Sequence, residues 1–176
     1  MHCSTNDQYR CSALLVISIS FLSMMFSGCT YSFKGGSAPA NLKTIVIPVV
    51  DDQSGFGDPT LRDSFTQKII KAFTDDNSLQ VTDRNSADSM LEIVITDVKD
   101  VPLVLQGGEN VSTRRITVTV RATFQDLKQR KKLWEKSFSQ YGDYPSGGGL
   151  TQRAVGVTDA VSKLAEDILN ETVAGW

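Results

Sequence analysis

From Arg115 to Phe124 apolar and polar positions alternate without a break: Ile116, Val118, Val120, Ala122 and Phe124 against Arg115, Thr117, Thr119, Arg121 and Thr123. A period of two puts each set on its own side of a strand, so one face belongs to a core and the other is polar. A turn at Lys128-Gln129-Arg130-Lys131 leads into a second strand, Leu133 to Tyr141, which predicts an antiparallel hairpin. Trp134 and Phe138 share a face of that strand, and core packing is the expected use of both. Upstream, Leu42 to Val50 is β-branched and apolar on both faces, the pattern of a covered strand that ends or runs at an edge near Pro48. A short strand at Leu79 to Thr82 and a longer one at Met90 to Val98 flank the polar turn Asp83 to Asp88. Pro102 and Gly107-Gly108 mark the loop that follows.

Two stretches carry the helical period instead. Leu61, Phe65, Ile69 and Phe73 recur every four residues, behind Asp58 as a cap and Pro59 at the first helical position. Gly147-Gly148-Gly149 closes the strand region. Thr151 to Val173 then carries Val157, Val161, Leu164, Ala165, Ile168 and Leu169 on one side of a second helix. The pattern predicts an α+β fold: two amphipathic helices packed on one face of a roughly four-stranded mixed sheet, in β-α-β-β-β-β-type order ending in a C-terminal helix.

The amino-terminal segment reads differently. Its apolar run, Ala13 to Phe26, is 14 residues long, about 21 Å as a helix against a hydrocarbon core of about 30 Å, which is too short to span. It ends in Phe26-Ser27-Gly28-Cys29, the arrangement of a bacterial lipoprotein signal, in which small residues precede the cut and a cysteine follows it to be acylated. The expected organisation is a signal peptide at 1–28, a lipid-anchored tether at 29–41, rich in Gly, Ser and Pro, and a single α+β domain at 42–176.

This processing narrows the chemistry. Cleavage removes 28 of 176 residues and leaves 148, enough for one core. Cys3, Cys11 and His2, the only histidine, leave with the signal, and Cys29 carries lipid. The mature chain is then without a disulfide, a thiolate nucleophile, a Ser-His-Asp triad or a His-ligated metal, and the expectation is no enzyme and no cofactor beyond the covalent lipid on Cys29. A net charge of −2 argues against nucleic acid as a partner.

The place to look for ligand contact is the polar strand face, where Arg115 and Arg121 stand about 20 Å apart at roughly 3.3 Å per residue, with threonines between them. Guanidinium forks match lipid phosphates. Lys128, Arg130, Lys131 and Lys132 make the densest positive cluster, suited to anionic headgroups or to acidic loops of a partner. A solvated sheet face and a solubilising hairpin tip account for the same residues. Tyr141 and Tyr144 lie near the loop end of their strand, where contact with a partner or a glycan is open to them. The triglycine lacks the Lys-Ser or Lys-Thr of a phosphate loop, and Asp51-Asp52 and Asp75-Asp76 fit turn and cap positions.

The residues CTYSFKGGSAP at 29–39, LKTIVIP at 42–48, PTLRDSFTQKI at 59–69, RRITVTVRATF at 114–124, LWEKSFSQYGDY at 133–144 and EDILNETVAGW at 166–176, taken in order, resemble the LptE family of lipopolysaccharide-assembly lipoproteins in its Bacteroidetes and Chlorobi form. The resemblance implies a lipoprotein on the periplasmic side of the outer membrane. There it partners and plugs the LptD-type β-barrel and contacts lipopolysaccharide, with Arg115, Arg121, Lys128, Arg130, Lys131 and Lys132 as candidate phosphate contacts and Cys29 as the lipidation site. The chain departs from the family's commonest pattern at Phe26 and in the basic run 128–132. A stand-alone periplasmic lipid-binding lipoprotein is the alternative, and it requires an enclosed apolar cavity.

Overall fold

The computed structural model of the protein describes residues 41–58, 60–103 and 113–174. The signal segment, Cys29 and the tether to residue 40, Pro59 and Gly107-Gly108 lie outside the described residues. The elements run β1 (Thr44–Val46), β2 (Asp51–Asp52), α1 (Leu61–Asp76), β3 (Gln80–Val81), β4 (Ser89–Leu103), β5 (Thr113–Asp126), β6 (Lys131–Pro145), a 3-10 turn (Ser146–Gly148) and α2 (Gly149–Ala174). The sheet is mixed, in the order β3-β1-β4-β5-β6 with β2 also on β4. β1 and β2 run parallel to β4, and β4, β5 and β6 are antiparallel. The α+β class, with both helices in one core and the second helix last, is as the periodicity predicts; the sheet has six strands where roughly four were expected.

One of the additional strands comes from Pro48. Leu42 to Val50 does not run as one strand: β1 stops at Val46 and pairing with β4 resumes only at Asp51. Proline has no N–H for the ladder, so the chain leaves β4 around it and returns. The detour is held from the other side, where the buried Thr66 hydroxyl of α1 accepts the Val50 N–H at 3.0 Å and donates to the Arg62 carbonyl at 2.8 Å.

The core follows the two periods. Leu61, Phe65, Ile69 and Phe73 on α1 meet Leu91, Ile93 and Ile95 of β4, all five inward residues of β5, and Val157, Val161, Leu164, Ala165 and Ile168 of α2. Each large side chain so buried contributes roughly 1.5–3 kcal/mol. Trp134 and Phe138 pack at the margin of this core as expected, the Trp134 ring 5.9 Å from Phe124 and 6.2 Å from Phe138. α1 begins two residues later than expected, at Leu61 with Thr60 in the cap position, because Asp58 turns back on Thr60, accepting its N–H at 2.9 Å and its hydroxyl at 2.7 Å. It ends on Asn77 in the left-handed conformation, φ 57°, whose N–H returns to the Phe73 carbonyl.

β4 runs past its expected end at Val98 to Leu103 because a bulge at Thr96 restores useful pairing with β5. Leu91, Ile93 and Ile95 face the core before the bulge, while Val98 and Asp100 take that side after it, since one extra residue inverts the alternation. Pro102 is accommodated in the strand where β4 has β5 alone beside it.

Candidate functional site

The face of the sheet away from the helices carries the polar set of β5 with its cross-strand partners on β6: Arg115 beside Asp143, Thr117 beside Tyr141, Thr119 beside Ser139, Arg121 beside Ser137 and Thr123 beside Glu135. The period-two reading of β5 put these residues together correctly. What the sequence alone did not indicate is which of the candidate cations are already occupied.

Arg115 is occupied. Its Nε and Nη2 donate to the two carboxylate oxygens of Asp143 at 2.7 and 2.8 Å, and its guanidinium carbon lies 3.7 Å from the centre of the Tyr141 ring. This bidentate pair holds the Asp143 carboxyl below the usual carboxylate range and raises the Arg115 guanidinium further. Lys128 is occupied by Asp88 at 2.6 Å, and Lys132 by Glu135 at 2.5 Å. Arg121, Arg130 and Lys131 are exposed and form no ion pair among the described residues.

Arg121 stands in a hollow of about 530 Å³. The detour around Pro48 shapes one wall, with Val49 and Asp51, while Glu92, Thr123 and Glu135 line the rest. The Glu135 carboxyl is held below its ordinary range, first by the hydrogen bond from Lys132 and to a lesser extent by the Arg121 charge. The hollow therefore sets one unpaired guanidinium among three carboxylates, with Val49 and Val94 as apolar patches.

The β5–β6 tip is residues 127–130. Asp126, buried at its base, accepts the Gln129 N–H at 2.8 Å, and Arg130 takes a left-handed φ of 53° to close the turn. The tip is tied sideways to β1 through Asp88, which accepts the Lys43 amide at 2.9 Å, the Thr44 amide at 3.3 Å and Lys128 Nζ. Led by Lys128 and the Lys43 amide, these donors bring the Asp88 carboxyl down to about 2. The basic turn is thus part of the folded body.

The opposite end carries a cluster that the sequence reading missed. Asp100 receives Arg114 Nε at 2.9 Å, the Tyr144 hydroxyl at 2.6 Å and Arg153 Nε at 3.1 Å. Burial pushes its carboxyl up, but Tyr144, Arg114 and Arg153 together outweigh that and leave it lowered. Arg153 also lies 4.1 Å over the Phe56 ring. Tyr144, expected near the surface, is 5% exposed and belongs to this cluster, so contact with a partner or glycan is left to Tyr141. Next to it α2 touches β6 backbone to backbone: a Cβ on Gly142 would lie 2.0 Å from the Gly156 carbonyl oxygen. The available signal was a lone glycine in each of two otherwise regular patterns.

The family model for LptE, lipopolysaccharide-assembly, matches residues 42–172. Among solved structures, the chain is similar to a DUF330-family protein from Xanthomonas campestris, with a TM-score of 0.56 and 13% identity over 78% of this chain and 89% of that one. It is similar to a hypothetical protein from Chlamydia trachomatis, TM-score 0.55 and 10% identity over 77% and 99%, and to a putative lipoprotein from Caulobacter crescentus, TM-score 0.52 and 11% identity over 75% and 89%. At these identities the likeness is one of fold. No curated protein matches the sequence.

Proposed function

Since the chain belongs to the LptE family of lipopolysaccharide-assembly proteins, matched over 42–172, we propose that it is the outer-membrane lipoprotein that partners and plugs an LptD-type β-barrel, anchored through lipid on Cys29 and facing the periplasm. The family is one of lipopolysaccharide assembly in the cell envelope; the non-enzymatic role of this chain, the barrel, the side of the membrane and the acylated cysteine are the proposal.

The observation that carries this reading is the division of the sheet into a packed face and a bare polar one. A plug in a water-lined lumen has to be rigid and must present hydrogen-bonding groups outward. Here the helices and the inner face enclose Phe65, Phe73, Phe124 and their neighbours, while threonines, serines and charged residues cover the other side of β5 and β6. The space between helices and sheet is filled by these side chains, which disfavours the stand-alone lipid carrier with its need for an apolar chamber. Among the described residues no helix is long and apolar enough to cross a membrane, in keeping with attachment by acyl chains.

For lipopolysaccharide phosphate, the proposed contacts divide by the geometry above. Arg121, Arg130 and Lys131 offer unpaired cations, whereas Arg115, Lys128 and Lys132 must leave a carboxylate to bind one. Arg121 is the leading contact, because a planar fork with no intramolecular partner in a hollow suits a phosphate bound by two oxygens.

Purification of the full lipoprotein from native membranes in mild detergent tests the partner. A large β-barrel in stoichiometric amount is the expected companion; recovery of the lipoprotein alone or with lipid only would overturn the reading. Depletion should leave lipopolysaccharide short of the cell surface.

A further inference from the structure

The chain enters the folded domain at the same end as the β5–β6 tip. Asn41 Nδ2 donates to Asp126 Oδ2 at 3.2 Å, and the Lys43 amide shares the Asp88 carboxylate with Lys128. On the reading that Cys29 carries lipid, on which this inference rests, the chain from Cys29 to Asn41 joins this end to the bilayer. Those twelve steps reach at most about 43 Å. β6, with 15 residues, is about 50 Å long at roughly 3.3 Å per residue. The tip end is therefore held near the membrane, and the end with the 3-10 turn and the start of α2 is the distal one.

The charges of the tip end are unevenly matched. Its carboxylates are engaged: Asp88 by Lys128 and two amides, Asp126 by Asn41 and the Gln129 amide, Glu135 by Lys132. Asp75 takes Lys71 and Asp76 accepts the Ser78 amide; Asp83 is the exception, exposed and with no ion pair among the described residues. Lys43, Arg84, Arg130 and Lys131 remain, exposed and with no ion pair among the described residues. The tip that carries Arg130 and Lys131 is fixed, with the Leu127 amide on the Asp88 carbonyl at 2.8 Å and the Gln129 amide on Asp126 at 2.8 Å. Cations held on a rigid turn lose little further freedom on meeting a surface.

We propose that the β5–β6 tip docks on the phosphates of anionic phospholipids in the leaflet that holds the anchor, through Lys43, Arg130 and Lys131. The tip end of the domain is thereby held against that leaflet at the periplasmic mouth of the proposed barrel; Arg130 and Lys131 then serve phospholipid phosphate in place of lipopolysaccharide, and Arg121, farther along the sheet face, keeps the lipopolysaccharide contact.

The test uses the full lipoprotein with one introduced thiol, Gln129→Cys at the tip or Leu150→Cys, 79% exposed, at the distal end. Cys3 and Cys11 leave with the signal and Cys29 is acylated, so the new thiol alone takes a fluorophore. The protein is reconstituted in vesicles of phosphatidylethanolamine with phosphatidylglycerol, free of lipopolysaccharide and of any barrel, with a nitroxide-headgroup lipid as quencher. Position 129 should be quenched severalfold more than position 150. The excess should collapse in neutral phosphatidylcholine vesicles and in a Lys43→Glu/Lys131→Glu variant, since each near-surface cation changes the docked-to-undocked ratio about fivefold. Equal quenching at the two positions, or an excess that survives in neutral vesicles and in the double variant, would overturn the docking. An acylated amino-terminal peptide in the mass spectrum keeps that failure separate from failure of the anchor; an unmodified Cys29 would overturn both.

Discussion

β4 has a depressed carboxylate at each end, and the two are held down in opposite ways. Asp88, just before the strand, is satisfied by the amides of Lys43 and Thr44 and by Lys128, whose side chain is largely in water. Asp100, near the other end, is as enclosed as Asp88, 15% exposed against 13%, and it keeps its charge because Tyr144, Arg114 and Arg153 converge on it against the cost of burial. The first joins strands at the end where the chain enters; the second joins β4, β5, β6 and α2 at the distal end. The cation on Asp88 is 58% exposed and those on Asp100 33%, so solvent screens the first pairing more and equal-looking carboxylates should differ in what their loss does.

The distal end is where the comparison breaks most sharply under substitution. Gly142→Ala drives a methyl group to 2.0 Å from the Gly156 carbonyl oxygen, a backbone atom in the middle of a helix that cannot swing aside. The expected loss is about 3 kcal/mol, read as a fall in denaturation midpoint. Gly156→Ala meets side chains instead, Tyr144 Cδ1 at 2.9 Å and Ile116 Cγ2 at 3.2 Å. These yield in part and alanine favours the helix, so the expected loss is nearer 1 kcal/mol. If the two variants proved equally stable, the backbone contact would not be what seats α2 on β6.

Next in size is Asp100→Asn, which leaves Arg114 and Arg153 facing one another with no counter-charge. Each arginine side chain is about one-third exposed, so solvent softens the penalty to about 2 kcal/mol. Asp88→Asn keeps an oxygen for the amides and loses only the charge, and about 1 kcal/mol is expected, given the exposure of Lys128. The pH dependence has a definite sign. The Asp88 carboxyl is lowered from 3.8 to about 2 on folding, so the unfolded chain takes up its proton first. Its contribution is fully present above about pH 4 and disappears as pH falls toward 2. Urea titrations across that window should show a shallower loss for Asp88→Asn than for the parent, and an unchanged slope would mean the carboxylate is not carrying the charge assigned to it.

The two ends also differ in how far they could be read from sequence. The α1 stripe and the alternation of β5 come from residues whose period is unbroken, and every inward residue of both is buried. Asp100 was hidden by the bulge at Thr96: counted straight through from Leu91, it falls on the wrong side of the strand, beside Glu92 instead of beneath α2. Gly142 and Gly156 lie 14 positions apart, and their contact depends on how α2 crosses β6, which periodicity does not encode. The detour at Pro48 was half legible, because proline signals a lost donor without saying whether the strand stops or resumes. The charged tip was visible as a run of basic residues, but its pairing with Asp88 joins positions 40 apart. Composition counts charges, and only the fold shows which of them are already matched.

That distinction makes Arg121 the sharpest small test. It touches nothing that holds the structure together, so Arg121→Glu should change stability by no more than about 0.5 kcal/mol. Arg115→Glu, by contrast, removes the bidentate bond to Asp143 and sets two carboxylates opposite each other on neighbouring strands, and should lower the denaturation midpoint more than Arg121→Glu does. In a lipopolysaccharide pulldown with the full lipoprotein the order reverses. Loss of an unpaired guanidinium and its replacement by a fourth acid among Asp51, Glu92 and Glu135 should weaken capture by Arg121→Glu more than by Arg115→Glu. An Arg121→Lys variant should recover only part of it, because an ammonium keeps the charge but not the planar fork. Capture that follows Arg115, or follows neither, would move the ligand away from the hollow beside Pro48 and return that face to solvent.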